Sequence, residues 1–270
     1  MSQFFRKYTY YIYSIFELLL GFKNPFRLIS IFTRSAASGV STIQLRQSGL
    51  KFRVRGAMDV WSIKETFLDR FYEVYGFTVQ PGWTVLDIGA ALGEYTLFAA
   101  RVPGSKVFGF EPFPESFALL KENLQLNHLE NVQPFEEAIG AKSGSLILDL
   151  SGNEPIQFQS LEDQPLSNQK SLTVRASTLA DVFARLGIEA CDLLKLDCEG
   201  AEFDILLNTS PELLKKIDHI VMEYHDHLTK HNHRELVSFL EAQGFQVDAY
   251  PNPVHAYLGY LRAGRKMDKS

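Results

Sequence analysis

Short, unbroken apolar runs punctuate this chain, and each is closed by acidic residues or glycine. Residues 83–88, which follow the turn Pro81-Gly82, form one such run, and residues 106–110, 191–196 and 219–224 form others. Runs of this length with no polar face read as strands buried on both sides, as in a parallel sheet. Residues 95–101 and 234–243 have the composition of helices. The segment 38–55 differs, because its two alternating runs around Ser48-Gly49 predict a β-hairpin ahead of the main domain. Residues 152–170 are polar, carry Pro155, Pro165 and repeated Gln and Ser, and read as a loop rather than a strand, of the kind that overhangs a substrate site near strand ends.

The corner after the first run is the most informative. Val85-Leu86-Asp87-Ile88-Gly89-Ala90-Ala91-Leu92-Gly93 carries an acid at the strand end and two glycines four positions apart. Such glycines let the backbone turn sharply and approach a ligand, which then meets backbone N–H groups and the positive end of the following helix. The spacing is Gly-x-x-x-Gly rather than the Gly-x-Gly-x-x-Gly of dinucleotide sites, which disfavours a pyrophosphate. The next strand ends in Glu111, 24 positions after Asp87 and close to the offset at which an acid meets a ribose diol. The expected ligand therefore carries a ribose without needing a phosphate.

A second corner follows the run 191–196 and releases Asp197, Glu199 and Glu202 beside Gly200. Strand ends next to the first strand line the crevice of an open α/β sheet, so Asp197 is a candidate to face the reacting group. The run 219–224 ends likewise in Glu223 and His225. Lys195, inside an apolar run, calls for a partner, with Glu223 and Glu202 the candidates.

These blocks resemble the FkbM-type S-adenosylmethionine-dependent methyltransferases: VLDIGAALGEYT (85–96), FEP (110–112), EEAIG (136–140), LLKLDCEGAEFDIL (193–206) and VMEYH (221–225). The resemblance implies an α/β, Rossmann-like class I methyltransferase fold, a seven-stranded mostly parallel sheet with an antiparallel final hairpin. It also implies S-adenosyl-L-methionine as cofactor and methyl transfer to an oxygen of a sugar or polyketide-type acceptor. By the same carry-over, the methionine end lies against Asp87, Gly89, Ala90, Ala91 and Gly93 with Tyr95 and Thr96 behind. The ribose falls on Glu111 beside Pro112, the adenine by Glu137 and Ala138, and Asp197 near the sulfonium. Ala91 stands where the family commonly has Asn, removing one side-chain hydrogen bond from the turn. Residues 58–61 look like the family's lead-in segment, with Asp59 its acid.

Methyl transfer needs an aligned acceptor and a base. Asp197, His225 and Glu223 are the candidates for that chemistry, with Glu199 able to hold acceptor hydroxyls. Two other readings are an altered cofactor-binding partner protein of the same fold and an NAD-dependent oxidoreductase. The histidines of 225–233 invite a metal reading, but without cysteines or a tight ligand pattern they read as a polar connection, and no metal is expected there. A hard cation held by Asp197 and nearby carboxylates is the minor alternative.

At 270 residues, 46% hydrophobic and 22% charged, the chain suits one catalytic domain with an N-terminal extension. We divide it into a helical extension (1–37), a hairpin with lead-in helices (38–80), the catalytic domain (81–262) and a frayed basic tail (263–270). The net charge of −5 gives no reason to expect nucleic acid. Cys191 and Cys198 flank one strand and would not readily pair, which points to a reducing, cytoplasmic setting. Residues 4–22 are aromatic and apolar but interrupted by Glu17, too short to span a bilayer and without a signal-peptide cleavage pattern. They predict a helix that packs on the domain or a partner subunit, or that lies in a membrane interface.

Overall fold

The structure is a computed structural model that describes residues 3–33, 39–149, 157–159, 171–252 and 257–265. In chain order, α1 (Gln3–Gly21) and α2 (Pro25–Thr33) precede a hairpin of β1 (Ser41–Gln44) and β2 (Lys51–Val54). Next come α3 (Ala57–Lys64), a π-helical turn (Glu65–Asp69) and α4 (Phe71–Val74). The first half of the main domain holds β3 (Thr84–Ile88), α5 (Glu94–Ala100), β4 (Lys106–Phe110), α6 (Pro114–Leu126) and β5 (Val132–Phe135). An inserted layer contains β6 (Ala138–Ile139), β7 (Gly144–Asp149), β8 (Gln157–Gln159) and β9 (Ser171–Ser177). The second half runs α7 (Leu179–Leu186), β10 (Cys191–Leu196), α8 (Ala201–Leu207), α9 (Pro211–Leu214), β11 (Ile217–His225), α10 (His233–Ala242), β12 (Phe245–Pro251) and β13 (Leu258–Arg265).

The central sheet has the order β12-β13-β11-β10-β3-β4-β5, with β5, β4, β3, β10 and β11 parallel and β13 antiparallel to both neighbours. This is the expected Rossmann-like methyltransferase arrangement. Strand order reverses between β3 and β10, and the crevice at such a switch point receives ligands. The sequence explains the strands directly: Val85, Leu86 and Ile88 of β3, and Leu193, Leu194 and Leu196 of β10, are buried. Helix ends are equally local in origin, as in α7, where Thr178 and Asp181 form a capping box and Gly187 closes the helix in a left-handed conformation.

Three readings change. The tail does not fray at residue 263, because β13 continues to Arg265, whose guanidinium donates to the carbonyls of Gln243 (2.7 Å), Ile217 (3.2 Å) and Leu214. Within the polar stretch 152–170, residues 157–159 form β8 and pair with β7; the rest of that stretch lies outside the described residues. The four-stranded layer β6-β9-β7-β8 was not legible, since β6 has only two residues. The hairpin and the long N-terminal helix are present as expected. Cys191 and Cys198 are buried and free.

Candidate active site

The turn after β3 is built so that only glycine fits its first position. Gly89 has φ +76°, and a Cβ there would lie 1.8 Å from the Asp197 carbonyl, so the turn rests on the backbone at the end of β10. The N–H groups of Gly89 and Ala90 donate to the Phe110 carbonyl, and that of Asp197 to the Ile88 carbonyl, locking the ends of β3, β4 and β10 together. Ala91 adopts φ +46°, a left-handed region that Asn tolerates better than Ala, so alanine there carries backbone strain.

Glu111 lies at the end of β4 and accepts one backbone N–H on each oxygen, from Ala91 and Phe113, both at 2.8 Å. Burial raises its pKa to about 7 against the pull of those donors. Each carboxylate oxygen keeps a lone pair, which suits the hydroxyls of a ribose. A second buried carboxylate, Glu94, opens α5; Ser62 donates to its Oε1 at 2.6 Å, while Oε2 has no hydrogen-bond partner among the described residues. Burial lifts Glu94 to about 7, and an unfilled carboxylate oxygen beside the turn is what an α-ammonium group would complete. The donor set thus fits S-adenosyl-L-methionine. Replacing Glu111 with Ala should weaken S-adenosylhomocysteine binding by about 1.5–3 kcal/mol in calorimetric titration; undiminished affinity would contradict this placement.

Other residues expected at the cofactor are engaged elsewhere. Asp87 is fully buried, with Oδ1 2.9 Å from Lys195 Nζ and Oδ2 accepting from the Thr96 hydroxyl at 2.6 Å. Lys195 also donates to the Gly89 carbonyl at 2.8 Å, so its partner is Asp87 rather than Glu223 or Glu202. Burial opposes the charge on Lys195, yet Asp87, Asp197 and Glu94 hold its pKa above the ordinary value. Asp87 and Thr96 therefore shape the turn from beneath, and Tyr95 is buried against Tyr72, with ring centroids 4.9 Å apart. The Glu137 side chain is taken by Arg185 and by Ser177 Oγ (2.8 Å), and Ala138 is buried in β6. Asp59 forms a paired contact with Arg55, which also reaches Ser116.

At the ends of β10 and β11, Asp197, Glu223 and His225 converge, with a ligand atom of each within 4.8 Å of the others. Asp197 Oδ2 accepts from the Tyr72 hydroxyl at 2.6 Å, a contact across 125 sequence positions that no pattern announced. His225 is buried; its Nδ1 lies 2.8 Å from Glu202 Oε1 and its Nε2 3.5 Å from Glu199. Burial disfavours its charge, but Glu202 above all, then Glu199 and Glu223, push its pKa up to about 10. The neighbouring carboxylates thus favour the protonated ring, which suits His225 better to balancing charge and donating a hydrogen bond than to accepting a proton. Glu223 is pushed well above the carboxylate range by burial and by the charge of Asp197. Glu65 joins this acidic cup from the π-helical turn, raised by burial to about 8 while accepting from the Trp61 indole at 2.8 Å. The imidazole departs from the all-oxygen set that a hard cation takes, and its raised pKa works against ligation. Of the other histidines in 225–233, His231 bonds Glu235, His233 bonds Asp226, and His227 lies between Tyr257 and His225, 4.2 and 6.4 Å from their rings.

Comparison with known proteins agrees with the geometry. The profile of the methyltransferase FkbM domain matches residues 87–247. The chain is 29% identical over 202 residues to Methyltransferase 1 of Beauveria bassiana (strain ARSEF 2860), covering 68% of this chain and 80% of that one. It is 27% identical over 244 residues to 31-O-demethyl-FK506 methyltransferase FkbM of Streptomyces tacrolimicus, covering 80% and 93%. It is 29% identical over 169 residues to 2-O-methyltransferase NoeI of Sinorhizobium fredii (strain NBRC 101917 / NGR234), covering 57% and 68%.

Proposed function

We infer that this chain, which belongs to the methyltransferase FkbM domain family and is an S-adenosyl-L-methionine-dependent methyltransferase, methylates a hydroxyl on a sugar, glycan or glycolipid acceptor. The reading of an altered partner protein and that of an oxidoreductase give way to the family assignment. The observation that carries the acceptor class is the acidic cup of Asp197, Glu223, Glu199 and Glu65, flanked by Tyr72 and Tyr260. Carboxylates accept hydrogen bonds from neighbouring hydroxyls, as a polyhydroxylated acceptor offers. Two relatives are named for O-methylation, which supports oxygen as the methylated atom.

When bound, the cofactor supplies an electrophilic methyl group. The chain's contribution is placement and proton handling. Glu111 and Glu94 orient the two ends of the cofactor; Tyr72 fixes one oxygen of Asp197, leaving the other to take the acceptor's proton. His225, held by Glu202, offsets the negative charge of the cup and presents Nε2–H to an acceptor oxygen. Glu223, with its raised pKa, serves as hydrogen-bond partner to a second hydroxyl.

The test is incubation of the purified chain with methyl-labelled S-adenosylmethionine and a panel of methyl glycosides, hexuronic acids and polyhydroxylated lipids. The expected product is an alkali-stable methyl ether on a sugar hydroxyl. Label recovered as an alkali-labile ester, or only on nitrogen or sulfur acceptors, would overturn the reading.

A further inference from the structure

We propose that the outer face of α1 and α2 docks on an anionic lipid bilayer, with both helices lying in its interfacial layer. The starting point is that α1 is inside out for a helix facing water. Its inward side carries Tyr10, Ser14 and Glu17, where Tyr10 donates to Asp69 (2.9 Å) and Glu17 pairs with the buried Lys64 (2.9 Å). Its outward side carries Ile12, Phe16 and Leu20 on one row four residues apart, and Leu20 is 72% exposed. Helix α2 continues the surface with Phe26, 85% exposed, and with Ile29 and Phe32. Contiguous exposed apolar side chains on this scale mark an interaction surface.

Charge selects the occupant. Glu17 is the only acid between residues 9 and 33, and it is tied to Lys64. Lys23, between the helices, and Arg27, on α2, are both exposed. Beside this row lies a cavity of about 810 Å³ lined by Phe16 and Leu20 together with Arg46, which donates to the Leu20 and Phe22 carbonyls, Arg70, which pairs with Glu73, and Arg101. Apolar side chains flanked by cations complement anionic headgroups above an acyl layer. A second copy on the same face would instead bring these cations toward one another across the symmetry axis. Among the described residues no helix is long and apolar enough to cross a membrane, so the contact is interfacial. The helix also touches the site's wall: the rings of Tyr10 and Tyr11 lie 5.9 and 5.7 Å from Trp61, which bonds Glu65 of the acidic cup. Docking itself does not depend on the acceptor.

The experiment is co-sedimentation of the full chain with vesicles of phosphatidylcholine and phosphatidylglycerol, and with phosphatidylcholine alone. Binding is expected on the mixed vesicles, weaker on the neutral ones and falling with added salt. The exposed double variant Leu20→Ser/Phe26→Ser should lose about tenfold or more of vesicle partitioning while keeping S-adenosylhomocysteine affinity and its unfolding transition. Lys23→Glu/Arg27→Glu should abolish the preference for the anionic vesicles. Absence of binding to the mixed vesicles, or unchanged binding by Leu20→Ser/Phe26→Ser, overturns the proposal. A concentration-dependent dimer that Leu20→Ser/Phe26→Ser dissociates also overturns it, assigning the face to a second copy.

Discussion

Replacing Asp197 with Asn should lower turnover by about 10²–10⁴-fold, which is the range for loss of a positioned base. At 1.36 kcal/mol per decade this is about 2.7–5.4 kcal/mol of transition-state stabilisation. The substitution preserves shape, and the amide oxygen can still accept from Tyr72, so the aromatic wall stays in place. S-adenosylhomocysteine, which carries no sulfonium charge, should bind the variant as it binds the wild type. S-adenosylmethionine should bind a few-fold more weakly if the carboxylate also supports the sulfonium. Comparing the two affinities by calorimetry therefore separates cofactor contact from proton transfer. Turnover within threefold of wild type would remove Asp197 from the proton path and leave Glu223 as the carboxylate to test.

Lys195→Met should be the most destabilising single change in the core of the site, costing about 3–5 kcal/mol in urea denaturation. Lys195 and Asp87 are both essentially inaccessible to water, and removing the cation leaves the Asp87 carboxylate buried with only the Thr96 hydroxyl to satisfy it. The Gly89 carbonyl loses its donor in the same step. If desolvated charge is the cause, adding Asp87→Leu to Lys195→Met should recover much of the loss, because replacing both members of a buried pair with apolar groups is often close to neutral. A loss below about 1 kcal/mol, or a double variant as unstable as the single, would refute the account.

The fold was legible because its strands are buried on both faces and therefore read as unbroken apolar runs, as in β3 and β10. Glu111 and the acids after β10 were legible because they sit at fixed offsets from those strands. The side-chain commitments were not. Whether Asp87 faces a ligand or a buried lysine depends on the register that sets Lys195 opposite it across β3 and β10, and no local pattern encodes that pairing. Tyr72 and Arg185 reach Asp197 and Glu137 from distant elements for the same reason. The environment of His225 was not legible either, because its ordinary pKa was assumed, whereas Glu202 and Glu199 from the corner after β10 join Glu223 of its own strand around it. The two-residue β6 carries too little sequence to be recognised.

The contact of Gly89 with the carbonyl of Asp197 has a bearing on how such an enzyme can change its acceptor. The turn after β3 and Asp197 are joined main chain to main chain, so neither can shift without dragging the other. Variation is open where the main chain is not tied into that sheet, as around Glu65 on its π-helical turn. A redesign of acceptor choice should leave residues 85–93 and 195–199 untouched and diversify that segment.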